Sequence, residues 1–429
     1  MEGVPDVDGT LKGLWNNLNN REKVSVNLLS DADVTVQDVD GKKVILVDVP
    51  RASRMDRPVF LDGNDRNTFR RQNDGDYKCD PEEIRSMISD SLSGTTDRVP
   101  IRTSEIEDLD RDTIKSYRNS LRTLKPEHPW NRCDDTEFLR RIGAAVRDGD
   151  TVRPTMAGLL MFGESYLIQS EMVNYHLDYR QYHEGNDWSY RLSSGDGEWS
   201  GNVFDFYIAV MNHARTTIGR PFAISGDMRR VEGSPVDVCI REMLINALVN
   251  ADYRGRGGVV VELRPGSFTT RNPGTFRIPL EEAEEGGISD PRNRTMSIMF
   301  SLIGLVERAG TGIPRMRQAC RDVGLPDPRF SEDYKPERVT VTLSLIGRQE
   351  EDDLESSIFR LISSDGRISM DEMSRRLGVS RSAVIKTIDR LKDRGVLSRE
   401  GGTRGRWVLS GKRRYPITDT GSSGAVHSH

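Results

Sequence analysis

The sequence predicts an α+β protein of several domains that ends in a helix-turn-helix with a β wing. Three observations carry that expectation. The chain has 429 residues, too many for one ordinary hydrophobic core and enough for about three domains. Its apolar residues alternate between a period near two, as in "ERVTVTLSLIG", and a period near 3.6, as in "IREMLINALVN". Near the C-terminus a helix, a Gly-containing turn, a second helix and a hairpin follow in the order of a winged helix-turn-helix.

Composition narrows the class. Charged residues make up 30% of the chain and its net charge is -5, so the whole protein is no polycation, although one domain can still be basic. Cys79, Cys133, Cys239 and Cys320 are scattered without a CxxC pair. That argues against a structural zinc or a disulfide framework and fits a reducing cytosol. The opening "MEGVPDVDGT" has neither a basic patch nor an apolar run, and no stretch of about 18 apolar residues occurs. A soluble cytoplasmic protein with no membrane partner is expected.

Five segments follow in order. In residues 1–97 the text from Val24 to Val49 reads as strands, with "GKKVILVDVP" stopped by Pro50. "RPVFLDGNDRNTFRRQ" suggests two more strands around a Gly63-Asn64 turn, and "DPEEIRSMISDSL" a helix with Asp80 as N-cap and Pro81 at its first position. Residues 98–228 form an α+β connecting region rich in Trp and Tyr, starting from a helix broken by Pro126 and Pro129. His176, His183 and His213 share no spacing there and read as partly buried hydrogen-bonding groups rather than catalytic ones. Residues 229–347 combine the helix from Ile240, the strands "GGVVVELRPG" and "SFTTRNPG", an acidic loop with Gly286-Gly287, two helical stretches around a Gly-rich break, and a closing strand. "QEEDD" reads as a solvated linker. Residues 351–411 hold the winged helix-turn-helix, with Gly378 in its turn and Gly401-Gly402 near its wing tip. Residues 412–429 lack periodicity and are expected to be disordered.

The helix from Ile240 carries an unusual edge. Ile240, Met243, Leu244, Ala247 and Leu248 make its buried stripe, while Glu242, Asn246 and Asn250 recur every four positions as a polar line. A carboxylate one turn from a carboxamide suits metal-nucleotide chemistry. The Asn carbonyl is a hard oxygen of the kind Mg²⁺ takes together with phosphates and water, and a Glu nearby can orient or deprotonate an attacking water. Taken alone, the pattern is weak: ExxxN occurs by chance in many helices, and an Asn that caps a helix or bridges a core gap is the favoured reading. Further on, "TRNPG" places Asn272 and Gly274 at a strand end where backbone can approach a ligand closely. "ERAGTGI" then places Gly310, Thr311 and Gly312 just before the helix "PRMRQAC", in the manner of a phosphate cradle.

A Glu/Asn helix, a strand ending in Asn-x-Gly and a Gly-x-Gly turn, in this order, resemble the N, G1 and G2 boxes of the GHKL (Bergerat-fold) ATPases. The likeness sharpens with "REMLINALVNADY", "RNPGTF", "GGISDPRNR" and "GLVERAGTGI", and with "TMAGLLMFG" and "SGDGEWSGNVFDFY" upstream. From roughly Gly41 to Leu345 the chain is similar to bacterial transcriptional regulators that join a Schlafen-type, AlbA-like DNA-binding domain to a GHKL-type ATP-binding domain and often a C-terminal helix-turn-helix. The resemblance implies a partial AlbA-like α/β domain over 1–97 and a GHKL-type α/β sandwich over 229–347. It implies that Asn246 binds Mg²⁺ and ATP and that Glu242 activates water. Asn272 and Gly274 would lie at the adenine end, and Gly310, Thr311 and Gly312 near the phosphates. Asn250 and Asp252 continue the polar edge, either toward a metal-held water or as caps of the helix end. Arg292 and Asn293 of "DPRNR" belong to the family signature without a role that chemistry assigns.

Two departures stand out. Asn272 occupies the position where the family has Asp, and a neutral carbonyl accepts from the adenine amino group without charge assistance, which loosens adenine selectivity. The family's opening block around a Glu-x-Lys signature is missing before "MEGVPDVDG", as expected of a truncated or shortened AlbA-like domain.

The C-terminal domain reverses the charge of the chain. From Leu354 to Ser410 there are twelve Lys/Arg against seven Asp/Glu, a surplus of five positive charges, the footprint expected of a duplex reader. On "SRSAVIKTIDRLK", Val384, Ile388 and Leu391 make the buried stripe and Ser380 the N-cap. Arg381, Ser382, Lys386 and Arg390 are expected to face outward, the early ones toward base edges and phosphates, with Arg404 and Arg406 of the wing on the DNA backbone. A winged helix used for protein contacts is the competing reading.

The expectation is a regulator that binds double-stranded DNA and ATP·Mg²⁺, nucleotide biasing DNA affinity, with a homodimer as its assembly. Two alternatives stay open: a slow ATPase in nucleic-acid remodelling or phage defence, and a scaffold with a degenerate pocket. No Walker A lysine loop occurs, which disfavours a P-loop motor. Nor does a phospho-accepting His stand near a dimerisation helix, which disfavours a histidine kinase.

Overall fold

The computed structural model describes residues 3–72, 75–91, 96–183, 187–218, 234–306, 310–400 and 405–409. It forms two compact units, one of Met1–Gln181, Tyr190–Leu263 and Ser267–Ser344, the other of Tyr182–Ser189, Arg264–Gly266 and Leu345–His429. The architecture is mixed α+β.

The first unit begins with helix α1 (Val7–Leu18), a hairpin of β1 (Val34–Val39) and β2 (Lys42–Val47), a hairpin of β3 (Phe69–Gln72) and β4 (Gly75–Lys78), and helix α2 (Pro81–Ser91). Asp80 caps α2, its side chain accepting from the N–H groups of Glu82 and Glu83 at 2.9 and 3.0 Å. Of the two strands expected around Gly63-Asn64, only β3 is formed. Phe60 and Leu61 make isolated bridges instead, because the Asn64 side chain accepts from Arg66 N–H at 3.0 Å and starts a 3-10 turn over Asp65–Asn67.

Next come α3 (Arg111–Leu124), α4 (Asp135–Ile142), β5 (Ala145–Asp148), β6 (Thr151–Pro154), α5 (Met156–Phe162), α6 (Ser165–Glu171), β7 (Leu177–Tyr182), β8 (Trp188–Ser193) and α7 (Val203–Ile218). The chain continues through α8 (Pro235–Asn250), β9 (Val259–Arg264), β10 (Ser267–Pro273), α9 (Leu280–Glu285), α10 (Arg294–Leu302), α11 (Gly312–Asp322), β11 (Arg329–Tyr334) and β12 (Glu337–Ser344). A six-stranded sheet orders these strands β11-β12-β10-β9-β7-β8. β7 runs parallel to β9, whereas β12 is antiparallel to both β10 and β11.

Helix α8 is central because of its apolar content. Ser234 and Asp237 close a capping box over Pro235 at the first turn. Beyond the expected stripe, Cys239, Ile245 and Val249 are also buried. Helix α8 packs on α11, β10 and α7, so little of it except the polar edge is left to meet anything but core.

The second unit holds α12 (Arg348–Ser364), α13 (Met370–Leu377), α14 (Arg381–Asp393), β13 (Leu397–Glu400) and β14 (Arg406–Leu409). Ile358, Ile362, Met373, Val384, Ile388, Leu391 and Trp407 are among the side chains of its core. Gly378 ends α13 at φ +65°, and the Ser380 hydroxyl accepts from Ala383 N–H at 3.2 Å to open α14. The acidic run "QEEDD" is no linker: it lies in the opening turns of α12. Trp407 ties the wing to the body, donating from its backbone to Gly366 O at 2.7 Å and from its indole to Ile368 O at 3.0 Å. Residues 412–429 and Gly401-Gly402 lie outside the described residues. No described helix is long and apolar enough to cross a membrane.

Candidate functional site

Glu242, Asn246 and Asn250 of α8 line one cavity of about 150 Å³ together with Asn272, Gly310 and Gly312, while Phe276, Ile288, Phe330 and Val341 supply apolar walls. The helix α11 starts directly on the polar edge of α8. A Cβ at Gly312 would stand 3.3 Å from Glu242 Oε2 and 3.4 Å from Asn246 Nδ2, close enough that these side chains would have to give by a few tenths of an ångström. Glu242 is only 3% exposed and sits near the N-terminus of α11, where the helix macrodipole favours a negative charge. Its Oε1 is 3.6 Å from Arg315 Nη1 and 3.8 Å from Arg241 Nη2. Asn246 receives a bond at its backbone carbonyl from Asn250 Nδ2 at 3.0 Å, while its carboxamide makes no hydrogen bond to the described residues. Thr311 Oγ1 is sealed from solvent and also makes none, the kind of exception that asks for a partner. Gly310 takes φ +68° and abuts the backbone of Ile288, where a Cβ would meet a carbonyl oxygen at 2.4 Å.

At the other end, Asn272 is buried and its Nδ2 donates to Pro273 O at 3.2 Å. Gly274, at φ +100°, does not line the cavity. The space that a Cβ would occupy there is taken by the Arg292 guanidinium, 2.9 Å away. Arg292 donates to the carbonyls of Asn250 at 3.2 Å and Thr275 at 3.3 Å and pairs with Asp90 of α2. Burial lowers its pKa to about 10. Asn293 donates to the carbonyls of Val249 and Ala251 at 3.1 and 2.8 Å, satisfying acceptors that the end of α8 leaves open. The two residues to which chemistry gave no role in the sequence thus clamp the C-terminus of α8. Asp252 accepts from Arg254 N–H at 3.1 Å, which makes it a turn residue; burial raises its carboxyl pKa.

Three arginines brace the outer wall. Arg51 pairs with Glu332 at 3.0 Å, and the same Glu332 oxygen accepts from Phe276 N–H at 2.7 Å. Arg54 pairs with Asp290 and donates to Asp90 O at 2.9 Å. Arg277 Nε stands 3.6 Å from Asp290. Among the described residues no cluster of three or more His, Cys, Asp or Glu side chains is placed to hold a metal. The cavity offers two carboxylates, Glu242 and the arginine-paired Asp290, and three carboxamides, a donor set suited to Mg²⁺ only when phosphate oxygens and water complete the shell.

The histidines stand elsewhere. His176 is 3.7 Å from Asp178, and His213 stacks on Tyr190 at 3.9 Å. Asp178 is fully buried. Burial by itself would raise its pKa, but bonds from His176, Arg191 and Arg180 outweigh that effect and hold the carboxyl far below the usual range. The thiols of Cys239 and Cys320, not joined as a disulfide, lie 3.4 Å apart between α8 and α11.

In the winged-helix unit the expected outward row on α14 is only partly outward. Arg381 is exposed and pairs with Asp371 of α13. Ser382 shares a 3.0 Å contact with the Ser380 hydroxyl. The Lys386 ammonium is shielded from solvent. Arg390 is turned inward: Nη1 lies 3.4 Å from Oε1 of Glu355, a buried carboxylate on α12 that also holds Arg394. A carboxylate at that depth requires cationic partners, and that demand overrides the direction that helical spacing gave Arg390. Arg406 is exposed on β14 beside Gly366, and Arg404 lies outside the described residues. Sequence reasoning passed over Arg375 and Arg376, whose side chains are 75% and 52% exposed. The basic "SRRLG" at the end of α13 is the signal for them. Arg315 was passed over as well, and its signal is the "PRMR" that follows Gly312.

Three family models match the chain. One, described as a domain of unknown function, covers residues 85–178. A second, described as "Putative ATP-dependent DNA helicase recG C-terminal", covers residues 257–343. A third, described as "Winged helix-turn-helix DNA-binding", covers residues 351–398. The chain therefore carries an ATPase-like domain followed by a winged helix-turn-helix DNA-binding domain. No curated protein matches it. Among solved structures, the crystal structure of the DIP2311 protein from Corynebacterium diphtheriae is similar at 18% identity and a TM-score of 0.44, over 95% of this chain and 69% of that one.

Proposed function

We propose that the chain is a cytoplasmic DNA-binding regulator whose ATPase-like domain binds ATP·Mg²⁺, and that nucleotide shifts its affinity for double-stranded DNA. One observation carries the reading: Gly312 seats the N-terminus of α11 on Glu242 and Asn246, and all three line one cavity with Asn272. The resemblance to GHKL ATPases and to Schlafen AlbA-like regulators supports the same assignment.

The residues present suit the ligand. Asn246 would offer its amide oxygen to Mg²⁺, which draws charge from the phosphate oxygens when bound. The first N–H groups of α11 would meet phosphate oxygens, and the Thr311 hydroxyl, sealed and not on the cavity lining, would join them only by turning toward the cavity. Because Asn272 Nδ2 is engaged by Pro273 O, its Oδ1 is left as an acceptor, which suits an amino group on the base. Glu242 would hold and orient a water. At about 150 Å³ the cavity is smaller than the roughly 300–1,000 Å³ of typical ligand pockets, so occupancy has to widen it. Of the two bracing pairs only that of Arg51 has an exposed member, the Arg51 side chain at 37%, so it is the cheaper wall to move, a pair being worth less the more solvent reaches it. Nucleotide that prefers the widened arrangement then alters any DNA contact that differs between the two arrangements. A homodimer matches the two-fold symmetry common among winged-helix operators.

Calorimetry with ATP·Mg²⁺ on the wild type and on Asn246→Ala tests the site. Binding in the wild type and a fall of about a hundredfold in the variant are expected for the loss of a metal ligand; undiminished binding in the variant removes the assignment. Duplex binding with and without ATP tests the coupling, and equal affinities reject it. The buried Glu242 carboxylate also favours slow ATP hydrolysis as a second reading, to be checked as turnover lost in Glu242→Ala with binding retained.

A further inference from the structure

We infer that Arg315 is the residue by which this site distinguishes a nucleoside triphosphate from a diphosphate, its contact with Glu242 being the position it holds without nucleotide. The inference rests on the nucleotide reading above and concerns a residue that reading does not use.

Arg315 lies in the first turn of α11, its N–H donating to Thr311 O at 2.9 Å, three residues beyond the Gly312 contact with Glu242 and Asn246. Its side chain is 33% exposed while that of Glu242 is 4% exposed. The guanidinium therefore spans from solvent to a buried carboxylate at the edge of the cavity. The 3.6 Å separation is that of a loose ion pair, longer than a direct hydrogen bond. A planar guanidinium matches the paired oxygens of a phosphate in bidentate fashion, with charge-assisted bonds that this contact lacks.

Arg241 is the natural comparison. It stands 3.8 Å from the same Glu242 oxygen, but it projects from α8, one residue before Glu242, and its side chain is only 19% exposed. If Arg315 leaves Glu242 for the outermost phosphate, Arg241 stays and the buried carboxylate keeps a cation beside it. That arrangement removes the main penalty of breaking a buried pair. It also ties the release of Glu242 to the arrival of a phosphate that a diphosphate does not supply.

The test is calorimetric titration of the full chain with ATP·Mg²⁺ and with ADP·Mg²⁺, for the wild type, Arg315→Ala, Arg315→Lys and Arg241→Ala. The wild type is expected to prefer ATP by about tenfold, the worth of one charge-assisted contact. Arg315→Ala should abolish that preference and leave ADP affinity in place, Arg315→Lys should keep part of it, and Arg241→Ala should keep all of it. Equal loss of both nucleotides in Arg315→Ala, an unchanged ratio, or a wild type without preference overturns the inference while leaving the nucleotide site standing. A wild type that takes up neither nucleotide overturns both. Should Arg315→Ala fail to fold, Arg315→Gln keeps the side-chain volume and gives the same readout.

Discussion

The polar edge of α8 and the basic face of α14 were laid out by the same helical arithmetic, yet the structure treats them differently. On α8, Glu242, Asn246 and Asn250 stand where a period of four places them, along one cavity. On α14, Arg390 folds back to Glu355 and the Lys386 ammonium is shielded from solvent, which leaves Arg381 exposed at the helix start. The contrast follows from side-chain length. A carboxamide on one or two methylenes cannot leave the direction its Cβ sets, whereas Arg and Lys carry their charge on a stem long enough to reach a counter-charge on another element.

The largest way to break that contrast is to remove the counter-charge. Glu355→Ala leaves Arg390 and Arg394 without the carboxylate they share, and a loss of about 3 kcal/mol is expected from breaking a buried pair. In the full chain it should show as an early urea transition. A loss below about 0.5 kcal/mol, the size of an ordinary surface substitution, would mean that Arg390 is as outward as its spacing suggested.

Next in size is Gly274→Ala. The backbone there has φ +100°, and Arg292 fills the space of the new methyl, so strain and crowding together should cost about 2 kcal/mol. Because Gly274 faces Arg292 and not the cavity, nucleotide affinity should fall only as far as stability does. A stable variant with impaired nucleotide binding would restore the reading that this glycine admits a ligand.

These cases mark what the sequence could and could not tell. The caps were legible because they are local: Asp80 on α2, Ser380 on α14 and Gly378 after α13 act within three or four residues. The Glu242–Asn246 edge was legible because it is periodic, and the close approach at Gly312 because a glycine opening a helix leaves room beside it. Arg292 was not legible, since its meaning lies in Asp90, on a helix about two hundred residues earlier. Arg390 was misjudged for the same reason, its partner being on α12. The acidic "QEEDD" reads as a linker because charge runs are mostly solvated, and a run without apolar residues carries no stripe by which periodicity could mark a helix.

Asp178 sharpens the comparison in the first unit, since it is another buried carboxylate shared by two arginines, Arg180 and Arg191. Its pKa is lower in the folded chain than its unfolded value near 3.9. The folded state therefore binds its proton less readily, and the stabilisation is complete above about pH 5 and lost as the pH falls below about 4 toward the lowered value. The urea midpoint of the first unit should decline over that window, and Asp178→Asn should flatten the decline while lowering the plateau. A variant with the wild-type acid slope would assign the effect to other carboxylates.

The smallest expected effect separates the two arginines of α14 on DNA itself. If Arg381 is the outward one, Arg381→Ala removes one phosphate contact, and the slope of log affinity against log salt should fall by about 0.9. Arg390→Ala should destabilise the winged-helix unit yet leave that slope as it was, provided the titration is made well below the unfolding temperature. The slope counts released counterions and does not respond to stability, so it distinguishes a cation that meets phosphate from one that only supports the helix. Equal slopes for the two variants would place both arginines, or neither, on the duplex. The length argument would then fail where α14 meets DNA, even with Glu355 in place.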